Sequence, residues 1–231
     1  MNQAFYWLAN HICRYAVLPP YASVKVIGAQ NIPRTGPLVL VSNHLNDADP
    51  PMIGFYFPRT VVTLAKAEMF NYPVLKQFMQ LYGGIPVRRG EADLSALRKA
   101  SEALEQGFTV CVFPEGTRSG EKAALMEAWP GAGLIALRSG APVIPLAITG
   151  SQRLSLPKMF LRPFPRQHVT MTFGEPFTLE KPARINAEAA KAATQQIMER
   201  IAALLPPEYR GYYGNSPTPD AEATAPAGAG E

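Results

Sequence analysis

Apolar and polar positions change rhythm several times along this chain. Leu38-Val39-Leu40-Val41, Phe108 to Phe113 and Val143 to Ile148 are short, nearly continuous apolar runs, which read as strands buried on both faces. Ser23 to Ile27 and His168 to Phe173 alternate apolar and polar residues, the rhythm of a strand with one wet face. Val61 to Leu64 and Gly84 to Val87 are short and β-rich. Between them the period lengthens. Ala92 to Gln106 carries Leu94, Leu97, Ala100 and Leu104 at helical spacing and stops at Gly107, a helix-end signal. Met52 to Tyr56, Tyr72 to Leu81, Gly131 to Arg138 and the Ala-rich Asn186 to Leu205 read as further helices. Strands alternating with helices predict an α/β fold, a mostly parallel central sheet flanked by helices. In such sheets binding loops gather at the carboxyl ends of strands.

The same patterning divides the chain into three parts. Residues 1–22 are rich in bulky apolar groups, among them Phe5, Tyr6, Trp7, Leu8, Ile12 and Tyr15, with Arg14 as a basic member. That composition suits a helix lying in a membrane interface, and equally one packed on the core. Residues 23–205 hold the α/β domain. Residues 206–231 form the tail; from Gly214 on it contains no Leu, Ile, Val or Phe, too little apolar surface to offset the cost of ordering, so disorder is expected. No run approaches the roughly 20 apolar residues of a membrane span, and no secretory signal is visible. The expectation is a peripheral membrane protein on the cytoplasmic face.

Composition narrows the functional classes. The 231 residues are 47% hydrophobic, enough for one sizeable core. A net charge of +4 permits anionic partners without demanding nucleic acid. Cys13 and Cys111 lie far apart in apolar settings, which suggests neither a disulfide framework nor a zinc site.

The stretch richest in chemistry is Asn43 to Pro50, NHLNDADP, at the exit of a buried strand. A carboxylate bonded to one ring nitrogen of His44 would fix its tautomer and support the imidazolium formed when the other nitrogen takes a proton. Asp49 stands five residues on, a step that swings about 140° around a regular helix, so the pair needs a loop. Asp49 before Pro50 also looks like a helix cap. Asp47 competes as the partner of His44.

Two further stretches suit an anion. GGIPVRR, Gly83 to Arg89, ends in two arginines. FPEGTRS, Phe113 to Ser119, sets Gly116 and Arg118 at a strand exit, where backbone N–H groups and a guanidinium fork can hold phosphate oxygens. Glu115 is unexpected there; it would orient Arg118 or bind a substrate hydroxyl. Residues 153–166 carry four basic groups and no acid among apolar ones, a composition fit for a lipid surface. Gly131 to Ala136 spells G-x-G-x-x-A, but Trp129-Pro130 precedes it instead of a strand, so a dinucleotide site is rejected.

These blocks together resemble the 1-acylglycerol-3-phosphate acyltransferases, within the wider glycerolipid acyltransferases. NHLNDAD fits that family's Asn-His-x-x-x-x-Asp block; GGIPVRR, FPEGTRS and Val143-Ile144-Pro145-Leu146 resemble the next three, in the family's order. Lys66-Ala67-Glu68 also looks like a Lys-x-Glu feature of many members. The resemblance implies acyl transfer from acyl-CoA or acyl-carrier protein to the free hydroxyl of a lysophospholipid, giving phosphatidate in phospholipid biosynthesis. It puts His44 as base, Asp49 as its orienter, and Lys66, Arg89, Glu115, Gly116, Thr117 and Arg118 as substrate contacts. Neither a metal nor an organic cofactor is implied. The chain is shorter at its N-terminus than members with clear anchoring helices. Competing expectations are another lysolipid acceptor, an acyl-thioesterase, a phosphoester hydrolase with a metal on His44, Asp47 and Asp49, and a non-catalytic membrane module.

Overall fold

The structure is a computed structural model that describes residues 2–88, 93–154 and 165–214. Seven strands form one sheet: β1 Ala22–Ile27, β2 Leu38–Ser42, β3 Val61–Lys66, β4 Gly84–Val87, β5 Thr109–Val112, β6 Val143–Thr149 and β7 Gln167–Phe173. Their order is β1-β7-β6-β2-β5-β3-β4. Every pairing is parallel except β6 with β7. β2 and β5 are therefore neighbours pointing the same way, and their exit loops leave side by side.

Among the described residues, six α-helices flank the sheet: α1 Gln3–Ile12, α2 Asp49–Tyr56, α3 Pro73–Tyr82, α4 Leu94–Glu105, α5 Gly131–Ser139 and α6 Ala187–Leu204. All five residues of β2 are buried, and alternate ones point to opposite faces. Val39 and Val41 join Val110, Val112 and residues of α4, α5 and α6 in one core. Leu38 and Leu40 join Cys111, Ile144, Leu146 and the α2 residues Met52 and Ile53 in the other. Covering on both faces is what a continuous apolar strand requires.

Three stretches gain detail in the structure. Gly133, in the G-x-G-x-x-A stretch, serves packing: a β-carbon there would lie 2.4 Å from the Ala190 carbonyl oxygen, and its N–H donates to Thr194 Oγ1 at 3.0 Å. It lets α5 approach α6. Residues 206–214, expected in the tail, are part of the folded chain. Pro207–Tyr209 and Gly211–Tyr213 form 3-10 turns, Tyr213 is buried, and its hydroxyl accepts from the Ala128 N–H. Residues 215–231 lie outside the described residues. The N-terminal helix packs on the core along one side. Tyr6 is wholly buried, its ring 4.7 Å from that of Tyr82, and its hydroxyl accepts from the Val61 N–H. Trp7, Leu8, Ile12 and Tyr15 stay exposed.

Candidate active site

The apolar run of β2 carries the chain through the middle of the sheet and delivers polar residues at its exit. Asn43 comes first. Its side-chain amide donates to the Ile148 carbonyl at 2.9 Å and accepts from the Ile148 N–H at 2.7 Å, extending the pairing with β6 after the strand has ended. The loop is thereby held to two strands before His44 begins.

His44 is fixed on several sides. Its carbonyl accepts from the Ser119 N–H at 2.9 Å, and its ring stacks on Phe113, centroids 4.2 Å apart. Nδ1 lies 3.0 Å from Asp49 Oδ2. That same oxygen accepts the N–H groups of Leu45 and Asn46, each at 2.7 Å. Oδ1 accepts the hydroxyl of Ser151 at 2.5 Å. An oxygen that already takes two backbone protons offers lone pairs, so Nδ1 carries the imidazole proton and Nε2 is the basic nitrogen. Asp49 is 0% exposed and His44 7%.

Asp49 is the first residue of α2, with Ala48 at the cap position. Its side chain turns back into the loop instead of capping the helix. Asn46 takes the turn-forming role, accepting from the Ala48 N–H at 3.1 Å. Asp47 is not the partner of His44; it is exposed and paired with Arg118. The metal-ligand set His44, Asp47 and Asp49 is therefore not assembled: one carboxylate faces an arginine and the other is surrounded by donors.

Glu115 departs from expectation. It neither orients Arg118 nor reaches outward. It is buried, Oε1 accepting from the His44 N–H and Oε2 from the Met126 N–H, both at 3.0 Å. Burial pushes its carboxyl up to about 7, against those two backbone bonds, with the Asp49 charge adding to the push. Glu115 thus ties the β2 exit loop to the segment that precedes α5. Gly116 has φ +67, and a β-carbon there would lie 3.0 Å from the Trp129 ring, so the backbone and the indole both call for glycine.

Thr117 and Arg118 are exposed at the rim. Lys66 ends β3 on the same sheet edge and pairs with Glu68 at 3.4 Å, both side chains well exposed. Arg89 lies outside the described residues, as do ten of the residues in the basic stretch 153–166, numbers 155–164. Sequence reasoning missed Ser151, Phe113 as a ring platform, and the structural role of Asn43. The one signal for Ser151 was a glycine and a hydroxyl directly after a buried strand.

The family model described as Acyltransferase matches residues 23–149, more than half of the chain. A 1-acyl-sn-glycerol-3-phosphate acyltransferase of Chlamydomonas reinhardtii is 30% identical over 208 residues, covering 87% of this chain and 59% of that protein. One from Bacillus subtilis is 27% identical over 190 residues, covering 81% of this chain and 91% of that protein. The crystal structure of the 1-acyl-sn-glycerophosphate (LPA) acyltransferase PlsC from Thermotoga maritima is similar with a TM-score of 0.63 and 26% identity, covering 87% of this chain and 88% of that one. The chain spans little more than half of the algal protein's length and most of each bacterial one. With the matched span running from β1 through β6 and holding both exit loops, the chain belongs to the acyltransferase family.

Proposed function

We propose that this chain moves an acyl group from a thioester to the free hydroxyl of 1-acylglycerol-3-phosphate, giving phosphatidate. The observation that carries the reading is the buried Asp49–His44 pair, with Nδ1 held and Nε2 left basic. An alcohol is a weak nucleophile until a base takes its proton. His44 Nε2 removes that proton as the oxygen attacks the thioester carbonyl. The tetrahedral oxyanion collapses, the C–S bond breaks, and the imidazolium returns the proton to the leaving thiolate. Asp49 supports the imidazolium during its lifetime. No enzyme-bound acyl group and no cofactor is needed.

Arg118, Thr117 and the Gly116 backbone, with Arg89 and Lys66, hold the acceptor phosphate and so place its hydroxyl. Arg118 is exposed and already holds one carboxylate, which suits a group that exchanges Asp47 for phosphate. The donor is acyl-CoA or acyl-carrier protein.

The reading extends to a peripheral attachment on the cytoplasmic face. No helix among the described residues is long and apolar enough to cross a membrane. Exposed Trp7, Leu8, Ile12 and Tyr15 on and beside α1, and Tyr72, Val74 and Phe78 at α3, give the two packed helices an apolar surface. No acid precedes Asp47 in the chain, which favours anionic lipid. The free thiols Cys13 and Cys111 suit a reducing compartment. Val74→Asp with Phe78→Asp should reduce co-sedimentation with anionic vesicles several-fold; unchanged sedimentation refutes the surface.

The direct test is mass spectrometry of products from a panel of lysolipid acceptors, each offered with acyl-CoA and with acyl-carrier protein. Phosphatidate formed fastest from 1-acylglycerol-3-phosphate, and lost in His44→Ala, is the expected result. Free fatty acid released equally with and without acceptor marks a thioesterase and overturns it.

A further inference from the structure

The His44–Asp49 pair is supported from a loop that none of the matched blocks contains. β6 runs buried to Thr149 and the chain then bends at Gly150, φ +83. A β-carbon at Gly150 would lie 2.0 Å from the His168 carbonyl oxygen, so the bend depends on glycine. It turns the next residue inward. Ser151 is 0% exposed, and its hydroxyl reaches Asp49 Oδ1 at 2.5 Å across 102 positions of sequence. The turn is anchored in place. The Leu154 N–H donates to the Ser151 carbonyl at 2.8 Å, and the Gln152 side chain donates to the Tyr209 hydroxyl at 3.1 Å.

The two oxygens of Asp49 are served unequally. Oδ2 takes His44 Nδ1 and the N–H groups of Leu45 and Asn46, all from its own loop. Oδ1 takes the Ser151 hydroxyl, brought from the far side of β6. A carboxylate anchored on one edge by its own loop still has freedom to tilt; a donor on the opposite edge removes it. A buried carboxylate oxygen left without a donor is also costly.

We propose that Ser151 is a positioning residue of the acyl-transfer reaction: its hydroxyl holds the Asp49 carboxylate in the orientation that His44 requires as a base. This rests on the reading of His44 as that base. Ser151 meets no reacting atom; it acts through Asp49.

The test compares wild type, Ser151→Ala, Ser151→Thr, Asp49→Asn, the Ser151→Ala/Asp49→Asn double variant and His44→Ala. Each is assayed with 1-acylglycerol-3-phosphate and the thioester donor that turns over in wild type. Ser151→Ala is expected to unfold cooperatively like wild type and to keep the acceptor KM within about twofold. Its kcat falls about 10- to 100-fold, the usual cost of removing a supporting hydrogen bond from a catalytic group. Ser151→Thr keeps the hydroxyl and recovers most of kcat. In the Asp49→Asn background, losing Ser151 costs little more. Where Ser151→Ala proves unstable, Ser151→Cys carries the same prediction with a smaller fall, since a thiol is a weaker donor.

Wild-type kcat in Ser151→Ala, beside an inactive His44→Ala, overturns the proposal and leaves the base reading intact. A fall in kcat that Ser151→Thr fails to recover, or that is as large in the Asp49→Asn background as in wild type, also overturns it, since general damage needs neither the hydroxyl nor the carboxylate. An active His44→Ala removes the base reading itself.

Discussion

Asp49 and Asp47 are two positions apart in the chain and occupy different media. Asp49 is 0% exposed, and its oxygens receive a ring nitrogen, two backbone N–H groups and a hydroxyl. Asp47 has a side chain 67% exposed and meets one arginine, itself 52% exposed. The first sits where charge is poorly screened and a misplaced donor is expensive. The second sits in water, where an ion pair is worth roughly 0–1 kcal/mol. On the proposed reading, the half of the site that moves the proton is organised before any substrate arrives. The half proposed to hold the anion is solvated, its arginine paired with a carboxylate that a phosphate could replace.

Truncating the two acids should separate these regimes most sharply. Asp49→Ala leaves the imidazole unoriented and several buried donors unpaired; kcat should fall about 10³-fold or more, with stability lower by roughly 3 kcal/mol in urea titration. Asp47→Ala should keep kcat within about threefold and stability within about 1 kcal/mol. Equal losses in the two variants would erase the contrast.

Glu115 belongs to the inner regime, and its test is a pH dependence. The folded chain holds this proton more tightly than the unfolded one, about 7 against an ordinary 4.5. Its contribution to stability is therefore full below about 4.5 and lost as pH rises through about 7. Glu115→Gln does not titrate. The stability of wild type relative to that variant should fall by on the order of 3 kcal/mol between acid and weakly alkaline pH, read from urea titrations at both ends. A flat difference would mean that the carboxyl is not held as its burial requires.

The rim variants should show smaller effects, on binding alone. Arg118→Ala is expected to raise the acceptor KM about tenfold with kcat nearly unchanged, the worth of one charged hydrogen bond. Asp47→Asn releases Arg118 from its resting partner and should lower that KM by about two- to threefold. Steady-state kinetics on a soluble short-chain acceptor measures both.

Much of the inner site was legible because its central contact is local. His44 and Asp49 are joined by one short loop, and the apolar run before it told which end of a strand would deliver them. Glu115 was misread for the opposite reason. Its partners are the backbone N–H groups of His44 and Met126, and backbone donors have no signature in residue identity. Ser151 was passed over because a serine beside a glycine is ordinary in a turn; burial alone distinguishes it. Residues 206–214 were assigned to the tail although Tyr209 and Tyr213 anchor turns beyond α6 by bonding to Gln152 and Ala128.

The sequence alone determined the alternation of strands and helices, the burial of β2, β5 and β6, and the proximity of one histidine to one carboxylate. Hydrophobic period and short loops act over a few residues, so they can be read without knowing what lies opposite. The tertiary structure decided which donor each buried oxygen meets: Ser151 for Asp49, the His44 and Met126 backbone for Glu115, and Arg118 for Asp47 at the rim. Those partners come from strands and loops distant in the chain. Their identity depends on sheet order and on how much water remains at each carboxylate, and both exist only once the chain has folded.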